Sequence, residues 1–160
     1  MRIARIDFFP HRLKRKYRWQ TASYAADGVQ VLYVKLQGEN GLTGLGATSV
    51  MPKEDATFQP GMDALMPAAR ALIAGTDVTD CDALMTELER RVPAYPRHLV
   101  AVEIALLDLA AKAGNVTLGT YLGARRCDRR VRCEPSDDAV VVCAAHRPRP
   151  TLLREINVCF

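Results

Sequence analysis

Near the N-terminus apolar positions recur at short spacing, and after Pro52 the recurrence lengthens toward 3.6 residues, so the chain predicts strands first and helices afterwards. Ile3, Ile6, Phe8 and Phe9 around Asp7 mark an extended segment from Met1 to about Leu13. Gly28 to Gln37 is a second, in which Val29, Val31, Leu32, Tyr33, Val34 and Leu36 give the β-branched and aromatic enrichment of a mostly buried strand. The turn Gly38-Glu39-Asn40-Gly41 holds an Asn-Gly pair that tolerates positive φ, and Leu42 to Thr48 returns as a third strand. The polar connection from Arg15 to Asp27 is expected to loop out between the first two strands.

Met62, Leu65, Met66, Ala69, Leu72 and Ile73 then fall on one helical face, and Gly75 ends that helix. Thr79 with Asp82 three residues on has the form of a capping box, followed by the stripe Leu84, Met85 and Leu88 until Pro93 stops it. From about Arg97 to Ala113 almost no polar face remains, which predicts a helix buried on most sides and capped by Gly114. Within it Asp108 and Lys112 are spaced to pair at i, i+4, a spacing that more often gives a small surface stabilisation than a catalytic couple. Thr117 to Leu122 forms a last short turn. The expected fold class is α+β: a three-stranded antiparallel meander sheet followed by a three- to four-helix bundle, with an irregular C-terminal tail.

Composition sharpens the boundary of that tail. The 160 residues and 49% apolar content suit one domain with a sizeable core. After Gly123, however, periodicity stops, and Arg125 to Phe160 carries eight arginines, no lysine and four of the five cysteines. Two units follow, an ordered domain over 1–124 and a non-family tail over 125–160, expected to be disordered or the product of a reading-frame change. The frame change is favoured over a genuine interaction tail because a selected basic tail more often contains lysine and is chemically uniform.

No apolar run approaches the ~18 residues of a membrane span, and the N-terminus lacks the apolar block of a secretory signal, so a cytoplasmic protein is expected. The odd cysteine count argues against a disulfide framework, and the Cys143 and His146 spacing lacks the paired knuckles of a zinc site. Seven basic residues stand against Asp7 in Met1 to Gln20, and the run His11 to Lys16 with Tyr17, Arg18 and Trp19 could bind RNA through charge and stacking, although a solvated strand end is the commoner fate of such a run. Gly41, Gly44 and Gly46 lead into a strand rather than a helix, which removes the phosphate-cradle reading, and Ser23 and Ser49 lack a nucleophile elbow.

One set of residues does carry a family pattern. Ile3 to Phe9, Val31 to Val34, Gly41-Leu42-Thr43-Gly44-Leu45-Gly46, and Ala105-Leu106-Leu107-Asp108-Leu109-Ala110-Ala111-Lys112 ahead of Tyr121-Leu122-Gly123 resemble, in that order, the N-terminal domain of the mandelate racemase and muconate lactonizing enzyme family of the enolase superfamily. The resemblance covers about Met1 to Ala124. Departures are Ala47 where members commonly have glutamate, Leu107 for a frequent tryptophan, and Tyr121-Leu122-Gly123-Ala124 for the usual Leu-Leu-Gly-Gly.

The resemblance implies a capping domain over a (β/α) barrel, two of whose loops, here about Tyr17 to Ala26 and Thr48 to Phe58, cover the mouth and select the substrate. Trp19, Thr21, Ser23, Tyr24 and Met51 are the candidate substrate-contacting residues on those loops. Trp19 and Tyr24 fit equally a role in pinning a long loop to the sheet. The implied chemistry is magnesium-dependent proton abstraction next to a carboxylate, as in a racemase, epimerase, cycloisomerase or dehydratase (isomerase and lyase reactions).

All of the family's catalytic groups lie on the barrel, so no catalytic residue, metal ligand or bound cofactor is expected in this chain alone, with Mg²⁺ belonging to the full-length family. A barrel takes roughly 250 residues. The chain is therefore expected to be a truncated fragment, inactive by itself, that meets a small carboxylate substrate only when a barrel is supplied. It should self-associate through its exposed barrel-facing surface, without binding a membrane or nucleic acid. The alternative is a non-catalytic binding module using the basic N-terminal segment or the arginine-rich tail.

Overall fold

The N-terminal apolar pattern becomes three antiparallel strands in the computed structural model, which describes residues 1–20 and 25–123. Strand β1 (Ile3–Gln20), β2 (Ala25–Gly38) and β3 (Thr43–Ser49) form one meander sheet in the order β1-β2-β3. The register sets Ile6 opposite Leu36 and Phe8 opposite Val34, with Gly44 and Gly46 across from the same two β2 residues. One face of the sheet thus carries Ile6, Leu32, Val34 and Leu36 into the main core. Gly41 takes φ 83° in the β2–β3 turn, and its N–H donates to the Gly38 carbonyl at 3.0 Å.

The first two strands run further than their periodicity indicated. Residues expected to loop out continue as paired arms to Gln20 opposite Ala25, past an irregularity between Lys14 and Trp19 where β1 carries extra residues against β2. No third strand backs these arms, since β3 pairs only with Val31 to Gln37 of β2. The arms lie beyond the three-stranded part of the sheet, and their sequence carries no period-2 signal.

Four helices follow among the described residues: α1 (Asp55–Ile73), α2 (Cys81–Arg91), α3 (Pro96–Ala113) and α4 (Leu118–Tyr121). Short 3-10 turns at Pro52–Glu54 and Val78–Asp80 precede α1 and α2. Helix α1 buries Phe58, Met62, Leu65, Ala69 and Ile73 and ends at Ala74 before Gly75, which has φ 81°. Pro60 and Pro67 lie within it on the exposed side, where water can take the carbonyls that proline leaves unbonded. The capping box expected at Thr79 is not formed. Asp77 caps the 3-10 turn instead, its Oδ1 accepting both the Thr79 N–H and hydroxyl at 2.9 Å.

Helix α3 lies unusually close to the sheet, and glycine makes that possible. A Cβ on Gly44 would sit 2.2 Å from the Ala105 carbonyl oxygen, and one on Gly46 would sit 2.0 Å from that of Ala101. The glycines of the Gly-x-Gly segment therefore serve helix packing as well as the strand edge. A third close approach joins α1 to α3, where the ring of His98 fills the space above Gly61, 2.4 Å from where a Cβ would lie. His98 is 1% exposed, its Nε2 lies 3.0 Å from the Phe58 carbonyl, and it packs edge-on against Tyr95. Burial pushes its basicity below the ordinary histidine value. A neutral imidazole donating from Nε2 to Phe58 fits this geometry.

The sequence expectations for 125–160, including the irregular tail, fall outside the described residues.

Candidate capping site

Both segments expected to cover a substrate emerge from one end of the sheet. Strand β3 stops at Ser49, opposite Val31, and the unbacked part of the β1–β2 hairpin begins at the next β2 residue, Gln30, opposite Arg12. The chain leaves β3 through Val50 and Met51 into the 3-10 turn Pro52–Glu54 and then α1. The root of the hairpin and the β3–α1 link are thus neighbours.

Hydrogen bonds and ion pairs fasten this end. Val50 donates its N–H to the Gln30 carbonyl at 3.2 Å. Glu54 accepts the Met51 N–H at 3.3 Å and pairs with Arg97 Nε at the start of α3 at 2.7 Å. Arg12 on β1 stands 3.4 Å from Asp55 Oδ2 and 3.8 Å from Asp27 Oδ1, bridging the hairpin to the first turn of α1. These exposed pairs each contribute little to stability, at most about 1 kcal/mol. Between the roots lies a cleft of about 220 Å³ lined by Pro10, His11, Arg12, Gln30, Asp55, Phe58 and Gln59.

Of the five candidate substrate-contacting residues, Met51 is half-buried on the link, just before the 3-10 turn. Trp19 is placed on β1 opposite Ala26. Thr21, Ser23 and Tyr24 lie outside the described residues, between the two arms of the hairpin. The expected second loop, Thr48 to Phe58, is largely ordered: its first residues end β3 and its last four open α1. Arg12, Asp55 and Gln59, which the periodicity did not single out, converge at the cleft because the register and the turn before α1 bring distant residues together.

Nothing in the described residues offers a catalytic constellation. No group of three or more His, Cys, Asp or Glu side chains among them could hold a metal ion, so a magnesium site does not fit there. No helix among the described residues is long and apolar enough to cross a membrane.

The family model for the N-terminal domain of mandelate racemase and muconate lactonizing enzyme matches residues 6–123. The chain belongs to this family. Two curated relatives are L-Lys-D/L-Arg epimerases: that of Desulforapulum autotrophicum is 32% identical over 126 residues, and that of Methylococcus capsulatus is 32% identical over 122. The matches take in 77% and 74% of this chain but only 35% and 33% of those proteins, so the chain spans about a third of the length of the relatives it matches.

Among solved structures, the dipeptide epimerase from Methylococcus capsulatus, complexed with Mg and the dipeptide L-Arg-D-Lys, superposes with a TM-score of 0.70 at 28% identity. That match covers 77% of this chain and 35% of the epimerase. The dipeptide epimerase from Cytophaga hutchinsonii gives a TM-score of 0.72 over 84% of this chain and 36% of its own, at 19% identity, and so shares the fold. The α+β arrangement, with a three-stranded meander followed by helices, is that of the enolase-superfamily N-terminal domain.

Proposed function

We propose that the domain is the lid of a magnesium-dependent epimerase that acts at the carbon next to a carboxyl or amide carbonyl. The β1–β2 hairpin and the β3–α1 link would be its two covering elements. The single observation that carries this reading is the shared origin of those segments at one end of the sheet, fastened by Val50 to Gln30 and by Arg12 to Asp55. A lid needs such an arrangement, because two covering segments must reach one substrate from a rigid base. The names of the relatives favour dipeptides, with cationic ones first, as the substrate class.

On this reading the domain itself moves no proton. Its residues enclose the substrate, exclude water and choose among side chains, while the general base and the magnesium ligands stand on a barrel. Residues 1–124 act as the capping domain. The chain alone is then inactive.

The test is α-proton exchange in deuterated water with magnesium and L-Arg-D-Lys. The chain alone should give no exchange. A chimera joining residues 1–123 to the remaining two thirds of the Methylococcus capsulatus epimerase should exchange and epimerise. Turnover by the chain alone, or a folded chimera as inert as the isolated barrel portion, would sink the proposal.

A further inference from the structure

Helices α2 and α3 are joined by a short connection and leave a furrow between them that the lid reading does not use. Two adjoining hollows of about 220 and 420 Å³ make it up, and both are lined by Met85, Glu89 and Glu103. Its apolar lining is Met85 from α2 and Val100, 40% exposed, from α3, with the buried Leu99 and Leu106 beneath them and Pro93 and Pro96 at one end. Its length follows α2, whose 11 residues at a rise of ~1.5 Å span about 16 Å, or three helical turns.

The charge of the furrow is one-sided. Asp82, Glu89 and Glu103 line it and no basic side chain does. None of the three has an ion-pair partner among the described residues, whereas Glu87, on another face of α2, holds both Arg90 and Arg91 within 2.8 Å. Glu89 and Glu103 are exposed at the same furrow without a counter-charge among the described residues, so a cation brought from outside gains there. The apolar lining adds what a small cation could not use: a strip matched to the apolar face of a helix.

We infer that the α2–α3 furrow is a docking surface for a cationic amphipathic helix of a protein partner, its apolar face laid on Met85, Leu99 and Val100 and its lysines or arginines reaching Asp82, Glu89 and Glu103. The occupant is chosen by complementarity. A neutral helix would leave the carboxylates uncompensated, and an acidic one would be repelled. The inference is independent of the lid function, since the furrow lies on helices α2 and α3 and the covering segments lie on the hairpin and the β3–α1 link.

The experiment uses the full 160-residue chain and a fluorescently labelled synthetic amphipathic helix of three to four turns, with leucines on one face and lysines flanking them. A second peptide has every lysine replaced by glutamate. Anisotropy titration should show binding of the basic peptide, weakening as salt is raised, and none of the acidic one. Glu89→Lys with Glu103→Lys should weaken binding by about tenfold or more. Val100→Asp should also weaken it, and Glu39→Lys in the β2–β3 turn should not.

The substituted positions are exposed, so each variant should keep the wild-type circular dichroism. Equal affinity for both peptides, or binding unchanged in the double variant, overturns the inference. So does sedimentation showing that the chain dimerises through this furrow, with dimerisation lost in the double variant, because the occupant is then a second copy.

Discussion

The carboxylate of Asp108 accepts the backbone N–H of Leu45 at 2.9 Å, so a helix side chain satisfies the open edge of the sheet. One turn further along α3, Lys112 donates to the Thr43 carbonyl at 2.8 Å and to Asp108 at 2.5 Å. Strand β3 is the edge of the meander, and its outward N–H and C=O groups would otherwise be free to pair with another chain. The i, i+4 pair, whose spacing alone suggests a minor surface contact, thus seals an edge strand and pins it to the helix.

Asp108→Ala should accordingly cost about 1 kcal/mol or somewhat more, above a lone exposed helical ion pair, because the Leu45 N–H loses its acceptor and Lys112 keeps only the Thr43 carbonyl. Urea unfolding followed by circular dichroism measures this. Light scattering of the variant should also rise with protein concentration. A loss below about 0.5 kcal/mol with unchanged scattering would show that the edge needs no such seal.

The glycines facing α3 allow a second test. Gly46→Ala and Gly44→Ala each drive a methyl group into backbone carbonyls that cannot rotate away, so each should cost at least the ~1–3 kcal/mol typical of overpacking. Gly41→Ala meets nothing within 4 Å and is strained only by its φ of 83°, for a cost of about 1–2 kcal/mol. Thermal unfolding should therefore rank Gly46→Ala and Gly44→Ala below Gly41→Ala. The reverse order would show that α3 can move off the sheet.

These contacts mark where sequence reading succeeds and where it stops. Helix α1 was legible because its buried positions recur with the helical period, as in Met62 to Ile73, the second strand because of its β-branched and aromatic enrichment from Val29 to Leu36, and α3 because it has almost no polar face. The outer hairpin was not, because no third strand pairs with its arms and a bulge after Lys14 breaks the register. His98 gave no signal of its own: its partners Phe58 and Gly61 lie about 40 residues away, and nothing local distinguishes a buried histidine from an exposed one. The cap of the turn before α2 was misplaced by two residues, since Asp77 and Thr79 are both good capping residues and the 3-10 geometry decides between them. Of the candidate site, the placement of both covering segments at one end of the sheet follows from strand order, which the meander made legible. The bridge from Arg12 to Asp55 depends on register and was not.

His98 predicts how stability should vary with pH. Burial lowers its folded-state pKa below the ordinary 6.5, with the hydrogen bond to Phe58 opposing in part. The unfolded chain therefore binds a proton that the folded one refuses, and stability present above pH 6.5 is lost as pH falls below it. Unfolding free energy should fall between pH 7.5 and 5.5 in the wild type. It should be flatter over that interval in His98→Leu, which is less stable at pH 7.5 for want of the Phe58 bond. Parallel curves for the two proteins would remove His98 as the source.

The lid reading makes its sharpest claim about the outer hairpin. Replacing residues 15–27 by a two-residue Asn-Gly turn removes only the part of β1 and β2 that lacks a third strand, and leaves the pairs from Ile6 with Leu36 to Leu13 with Val29 intact. The shortened domain should keep its thermal midpoint within a few degrees, because none of the described side chains among those removed belongs to the main core. In the chimera with the Methylococcus capsulatus barrel portion, the same change should raise KM or lower kcat/KM for L-Arg-D-Lys by about tenfold or more, since a substrate no longer enclosed loses both contacts and orientation. Unaltered stability together with unaltered kinetics would show that the hairpin covers nothing, and a collapse of stability would show that it is structural. Stability kept while catalysis falls is the result that only a covering segment explains.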